Sequence, residues 1–75
     1  MYKVGRCLLG DRLIKSGMTQ SMLAFRTNIP KSQISEYVNN KHIMSLETAK
    51  IISAALNCGI DELYEWISVE DAHNR

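Results

Sequence analysis

The sequence has few of the residues that build metal sites or covalent cross-links. Its 75 residues include two cysteines, Cys7 and Cys58, which stand far apart with no C-x-x-C pair, so neither a zinc ribbon nor a thioredoxin-type site is indicated. His42 and His73 are isolated, with no second ligand at a helical or hairpin spacing. We therefore expect no metal and no cofactor, and we expect both cysteines to act as small buried hydrophobic residues.

Targeting and catalytic patterns are also missing. No apolar run approaches the length of about 18 residues that a membrane helix needs. The N-terminal stretch MYKVGRCLLGDR lacks the hydrophobic region and cleavage site of a signal peptide, which predicts a cytoplasmic protein without membrane partners. The sequence offers no paired carboxylates in a plausible cleft, no nucleophile–base arrangement and no phosphate-binding glycine loop, so it does not predict an enzyme.

The charge is distributed unevenly along a chain whose net charge is only +1. Residues 1–50 hold eight basic and three acidic residues, a net charge of +5, whereas residues 51–75 hold one basic and five acidic residues, a net charge of −4. A basic first half with an acidic end is typical of a protein with one surface facing DNA and another facing away from it. The length is that of one small domain, for which dimerisation would supply extra stability.

The most informative stretch is TQSMLAFRTNIPKSQISEYVNNK, residues 19–41. It predicts two short helices separated by a tight turn at residues 28–30. The first helix has three large apolar residues close together, Met22, Leu23 and Phe25. The second has an apolar face at i, i+3 and i+4, formed by Ile34, Tyr37 and Val38. Short polar side chains, Ser32, Glu36 and Asn39, point nearly opposite that face, and such side chains suit contact with base edges.

Five helices are predicted in all. The first runs from about Val4 or Arg6 to Ser16, the second from Thr19 to Thr27, the third from Pro30 or Lys31 to Asn39, the fourth from Ser45 to Asn57, and the fifth from about Ile60 to Ile67. Thr19 and Ser45 are suited to cap the N-termini of their helices. Gly17 is expected to end the first helix, and Asn28, Asn40 and Asn57 are expected to end the next three, because asparagine tolerates the left-handed conformation.

The same periodicity predicts which side chains form the core. In helix one the stripe comprises Leu9, Leu13 and Ile14. In helix four it comprises Leu46, Ala49, Ile52, Ala55 and Leu56, and Ile51 widens it. In helix five it comprises Leu63 and Ile67. Met18 is expected to enter the core at the corner after Gly17.

Several of these residues are those of a known family. The stretch resembles the helix-turn-helix of phage repressors and Cro-type (Xre-like) regulators, in Thr19-Gln20, Ala24, Asn28 and Ile34. Downstream, SLETAKIISAALN and GIDELYEWI resemble the last two helices of that family, so that the resemblance spans about residues 8–67. It implies an all-α, compact five-helix, lambda-repressor-like domain over residues 1–67, followed by a polar, flexible tail over residues 68–75.

One departure from the family pattern concerns a buried ion pair. Many relatives pair an arginine of helix one with a glutamate late in helix three, at positions that match Leu13 and Val38 in this sequence. Replacing a buried ion pair with apolar residues is often neutral or favourable for stability. The family's fold is therefore still expected for this sequence without the ion pair.

The resemblance also assigns site residues. In that family the second motif helix enters the major groove, and by position its base-reading residues are Lys31, Ser32, Gln33 and Glu36. The residues matched to phosphate contacts are Thr19, Gln20, Asn39 and Lys41, while Arg26 and His42 are equally well explained as ordinary surface residues. A plain solvated side chain is the alternative for each. Of the four base readers, Glu36 is the least expected on DNA, because phosphates repel its charge.

A second site is predicted near the C-terminus. Tyr64, Trp66 and Val69 follow the last core positions, and a domain this small cannot bury all of them. Because tryptophan is enriched at protein interfaces, we expect these residues to form a dimer interface, with the edge of the core as the alternative for Trp66.

Together these observations predict a small phage- or mobile-element-type transcriptional regulator that binds a palindromic operator on double-stranded DNA, as a homodimer at least on DNA and with a possible regulatory protein partner. Two alternatives remain open. The chain could be a controller or antitoxin-type regulator, or a protein-interaction module that keeps the fold without binding DNA. The near-neutral charge, the acidic end and the position of Glu36 support the latter.

Overall fold

In a computed structural model of the chain, residues 1–69 are described. The prediction of a flexible tail lies outside them for residues 70–75. In chain order the elements are strand β1 (Tyr2–Cys7), helices α1 (Leu9–Lys15), α2 (Gln20–Thr27), α3 (Lys31–Val38) and α4 (Leu46–Leu56), a short 3₁₀ helix (Ile60–Leu63) and strand β2 (Tyr64–Ser68). None of the helices in residues 1–69 combines the length and the apolar character of a transmembrane span.

The expectation of an all-α, five-helix domain is wrong at both ends of the described chain. The four α-helices are accompanied by an antiparallel two-stranded sheet in which Tyr2 pairs with Ser68, Val4 with Trp66 and Cys7 with Tyr64. The predicted fifth helix shrinks to the 3₁₀ helix, and the predicted start of helix one is strand β1. The physical reason is local composition, since aromatic and β-branched residues such as those in YEWIS favour a pleated strand over a helix.

Gly5 allows the two strands to approach closely. The register shifts between Val4 and Cys7, which is the irregularity of a β-bulge. A Cβ atom at Gly5 would lie 3.0 Å from the Cβ atom of Glu65 and 3.2 Å from its carbonyl oxygen, so that a side chain would be tightly crowded unless β2 moved by a few tenths of an ångström. Next to the bulge, the N–H of Cys7 donates to Oδ1 of Asn40, two residues beyond the end of α3, at 2.8 Å.

The predicted helix boundaries within the central part of the chain are confirmed. Thr19 and Ser45 each accept a hydrogen bond through the side-chain oxygen, from the N–H of Met22 at 3.1 Å and of Thr48 at 3.1 Å. The residues that end the helices have left-handed φ angles, namely Gly17 (65°), Asn28 (62°), Asn40 (61°) and Asn57 (56°). Asparagine therefore fills three positions where glycine is the usual choice.

The core lies between the four helices and the inner side of the sheet. Its buried side chains are Cys7, Leu9, Leu13, Leu23, Ile34, Tyr37, Met44, Ala49, Ile52, Leu56, Leu63 and Tyr64. Met18, Val38, Ala55 and Cys58 are partly buried against it. The expected core positions of Met18 and Cys7 are thus confirmed, whereas Cys58 is only partly buried. Burial raises the pKa of the Cys7 thiol above its ordinary value.

Six residues expected to be apolar contacts are instead exposed: Ile14, Met22, Phe25, Leu46, Ile51 and Ile67. Ile14 follows the buried Leu13 and Phe25 stands two residues after the buried Leu23, which rotates each of them away from the core at about 100° per residue. Leu46 is the first residue of α4, and Ile67 lies on β2, where side chains alternate between faces.

Candidate nucleic-acid interface

Helices α2 and α3 are held together by apolar contacts. Leu23 of α2 and Ile34 of α3 are fully buried, and the two helices pack directly against each other. Between them, Asn28 ends α2 in the left-handed conformation, and Pro30 precedes the first residue of α3. This turn fixes where the N-terminus of α3 points, because proline is pre-organised for the start of a helix.

The outer side of α3 is polar. Of its four predicted base-reading residues, Lys31, Ser32 and Glu36 are exposed and Gln33 is partly buried, while Ile34 and Tyr37 face inward. The structure thus places all four on one short helix with their neighbours Ile34 and Tyr37 anchored behind them. This arrangement presents hydrogen-bonding groups of the kinds that recognise base edges.

Some of these polar groups already have partners within the protein. Nε2 of Gln33 donates to the hydroxyl of Tyr37 at 2.6 Å. A carboxylate oxygen of Glu36 lies 3.5 Å from Nε2 of His42, which places His42 beside the base-reading set. Nδ2 of Asn39 donates to the hydroxyl of Ser35 at 3.3 Å.

A groove of about 540 Å³ runs beside α3. One wall is formed by side chains of α3, and the other by the residues that lead into α4; the lining comprises Pro30, Ser32, Gln33, Glu36, Tyr37, His42, Ile43, Ser45 and Thr48. The lining includes hydrogen-bonding side chains on both sides, so the groove extends the hydrogen-bonding surface beyond α3 itself.

The predicted phosphate-contacting residues lie at the ends of α2 and α3. Thr19 is the N-cap of α2, and Gln20 is its first residue. Asn39 is the C-cap of α3, followed by Lys41, whose backbone N–H donates to the carbonyl of Glu36 at 2.8 Å. Thr19, Asn39 and Lys41 are exposed, whereas Gln20 is partly buried. Backbone groups of a duplex are reached by such helix-terminal residues.

The ion pairs of the described residues concentrate away from α2 and α3. Arg6 pairs with Asp11 at 3.6 Å and with Glu65 at 3.7 Å, and Arg12 pairs with Glu62 at 2.7 Å. Within residues 1–69, the exposed cations Arg26, Lys31 and Lys41 form no ion pair with a carboxylate. The positive charge of the α2–α3 side is therefore left available to a polyanion.

The predicted dimer residues have three different environments. Tyr64 is only 7 % exposed, and its hydroxyl accepts from the N–H of Met44 at 3.0 Å, so its assignment to an interface is wrong: it is a core residue, and burial raises its pKa. Trp66 is 46 % exposed and donates from Nε1 to the carbonyl of Asp61 at 2.8 Å. Val69 is partly buried, and its N–H donates to the carbonyl of Met1 at 2.8 Å.

Sequence reasoning missed an apolar groove of about 200 Å³ next to Trp66. Ile43 and Leu46 line it together with Trp66, and all three are exposed at its rim. The signal that could have revealed it is the alternation of Tyr64, Glu65 and Trp66, which places two aromatic residues on one side of a strand.

No group of three or more histidine, cysteine, aspartate or glutamate residues that could hold a metal ion is found in residues 1–69.

Comparison with known proteins gives two similarities. Residues 9–63, which contain α1 to α4 and the 3₁₀ helix, match a family model described as helix-turn-helix. Over 65 residues, the chain is 38% identical to the SPbeta prophage-derived uncharacterized HTH-type transcriptional regulator YopS of Bacillus subtilis (strain 168). That alignment covers 85% of this chain and 88% of the relative.

Proposed function

We propose that this chain, which belongs to the helix-turn-helix family, regulates transcription by binding double-stranded DNA with α3 in the major groove. The observation that carries the proposal is the polar outer side of α3, held in place by the fully buried Ile34 and Leu23. The similarity to a prophage-derived regulator supports a phage-type, repressor- or Cro-like role. Such a protein works where the DNA is, in the cytoplasm, and catalysis forms no part of the proposal.

Each base-reading residue has a chemical role in this proposal. Gln33 pairs with adenine through its amide, Lys31 donates to guanine acceptors, and Glu36 accepts from the amino group of cytosine. Ser32 can donate to or accept from either kind of base. His42, at 3.5 Å from Glu36, supplies a nearby donor that reduces the repulsion between this carboxylate and the phosphates.

The phosphate-contacting residues position α3 without reading sequence. Thr19 and Gln20 at the start of α2, and Asn39 and Lys41 after α3, lie at opposite ends of the motif. They would bind the backbone on either side of the groove that α3 enters. The free charge of Lys41 gives this contact a dependence on salt concentration.

Dimerisation would provide specificity that one short helix cannot. Two-fold dimers of such domains bind half-sites about 34 Å apart, which corresponds to a palindromic operator. We place the dimer interface at Trp66 and Val69 and extend it to Ile43 and Leu46, which share the groove beside Trp66. A strict monomer in sedimentation experiments, both free and on a selected duplex, would contradict this assignment.

A second candidate function is protein interaction, either alone or in addition to DNA binding. The observation in its favour is Phe25, which is 91 % exposed on α2. The exposed Met22 precedes it by three residues and therefore lies on the same side of the helix. A controller or antitoxin-type regulator would combine such a surface with DNA binding. The experiment below separates the interaction module from the regulator, because only the regulator retains DNA.

The test is selection of bound duplexes from a random pool at low salt, followed by titration of the selected duplex at two salt concentrations. We expect one enriched, two-fold symmetric sequence. Lys41→Ala should weaken binding to all sequences and reduce the slope of log K against log salt by about 1. Lys3→Ala, on β1 opposite Ile67, is the matched control. A protein that retains no duplex even at low salt would contradict the proposed function.

A further inference from the structure

Gln33 is the one predicted base-reading residue whose side chain is fixed by another side chain of α3. Its Nε2 lies 2.6 Å from the hydroxyl of Tyr37, one helical turn later. Tyr37 is buried, with 6 % of its surface exposed, as part of the core. The hydroxyl of Tyr37 therefore has a fixed position, and Gln33 lies against it at the edge of the polar groove.

The amide of glutamine has two N–H donors and one carbonyl acceptor. Donation of one N–H to Tyr37 leaves the second N–H and the carbonyl oxygen. Recognition of adenine in the major groove needs one donor for N7 and one acceptor for the N6 amino group. The hydrogen bond to Tyr37 thus occupies the group that base recognition does not require, and it holds the amide plane against rotation.

We propose that Tyr37 is a positioning residue for base recognition: its hydroxyl, held in place by the buried ring, orients the amide of Gln33 so that the remaining donor and acceptor face one adenine. This inference rests on the proposed function, because it concerns specificity on DNA. The energetic basis is that a side chain ordered before binding loses less rotamer freedom when the complex forms.

The test is Tyr37→Phe, which removes the hydroxyl and leaves the ring in the core. On the selected duplex and on duplexes with the Gln33-dependent base pair changed, we expect the preference for the selected base to fall roughly 2- to 10-fold. Gln33→Ala should abolish the preference at that base pair, and Tyr37→Phe should have no further effect in the Gln33→Ala background. Preference at the other base pairs should stay unchanged.

A purely structural role for Tyr37 gives a different result. It would lower the melting temperature of Tyr37→Phe without changing base preference, and unchanged preference in a folded variant would overturn the inference. If the wild-type protein selects no duplex, both the inference and the proposed function are overturned. If the wild-type protein selects a duplex and Tyr37→Phe keeps the same base preference, the inference fails and the proposed function stands.

A second measurement uses the free wild-type protein and does not depend on the variant folding. We expect the side-chain amide protons of Gln33 to show NMR shifts displaced from those of a free glutamine and exchange with water slowed relative to it. Random-coil shifts with unprotected exchange would overturn the inference, because the amide would then not be held by Tyr37.

Discussion

Asn40→Gly is the substitution that best tests how the sheet is attached to the helices. Asn40 has a left-handed φ of 61°, and its side-chain oxygen accepts from the backbone N–H of Cys7 at 2.8 Å. The two residues are 33 positions apart, so that this hydrogen bond joins the end of α3 to the bulged end of β1. Glycine suits the backbone at this position but cannot supply the acceptor.

The expected loss of stability in Asn40→Gly follows from comparing Asn40 with Asn28 and Asn57, which have similar φ angles of 62° and 56°. At all three positions glycine relieves left-handed strain but adds freedom to the unfolded chain, two opposing effects of about 0.5–1 kcal/mol each. Only at Asn40 is a partly buried N–H also left without its acceptor, at a cost of about 1–2 kcal/mol.

Thermal unfolding followed by circular dichroism is the assay. Asn40→Gly should lower the melting temperature by roughly 4–15 °C, since 1 kcal/mol corresponds to about 4–8 °C for a domain of this size. Asn28→Gly and Asn57→Gly should change stability by less than about 0.5 kcal/mol. Asn40→Asp retains an acceptor and should recover part of the loss. Equal melting temperatures for all three glycine variants would refute this account of Asn40.

Three further predictions concern other contacts. Tyr64→Phe should destabilise the fold by about 1–3 kcal/mol in denaturant unfolding, because the Met44 N–H loses its acceptor; no change in midpoint would contradict a core role for Tyr64. Ser45→Ala should cost about 1 kcal/mol through loss of the α4 N-cap, and Ser21→Ala, at an exposed position of α2 outside any N-cap, serves as its comparison. The raised pKa of Cys7 means that the native state holds the thiol proton longer than the unfolded state. The free energy of unfolding should therefore fall as pH rises beyond the ordinary thiol pKa of about 8.5, and a Cys7→Ala variant with the same alkaline decline would exclude Cys7 as its source.

Residues whose effect is local were predictable from the sequence. Thr19 and Ser45 cap their helices because a hydroxyl three residues before an N–H can reach it within one turn. Asn28 and Asn57 end theirs because asparagine tolerates positive φ. The buried positions Leu23, Ile34 and Ile52 follow from the helical spacing of apolar residues, which can be read from the sequence alone.

The two ends of the domain were not predictable in the same way. The sheet pairs Val4 with Trp66, and no local signal specifies a contact at that separation. Resemblance to a five-helix family also favoured helices there, against the strand preference of the segment YEWIS. The wrong prediction of a fifth helix also led to the wrong assignment of Tyr64 to the dimer interface. A helix would have turned Tyr64 outward, whereas β2 turns it into the core.

For the candidate nucleic-acid interface, the sequence predicted which residues belong to it but not the contacts that their side chains make. The polar side of α3 follows from periodicity, but the hydrogen bond from Gln33 to Tyr37 and the 3.5 Å contact between Glu36 and His42 depend on side-chain positions that a pattern does not specify. Under the proposed function, these contacts determine which donors and acceptors remain free for a base.

The central claim is that the outer side of α3 enters a DNA groove. Its most direct test is an NMR titration of the labelled protein with the selected duplex. We predict that the largest shifts occur at Lys31, Ser32, Gln33 and Glu36, with small shifts along β1. Shifts confined to β1 and β2, with α3 unchanged at saturation, would contradict the claim.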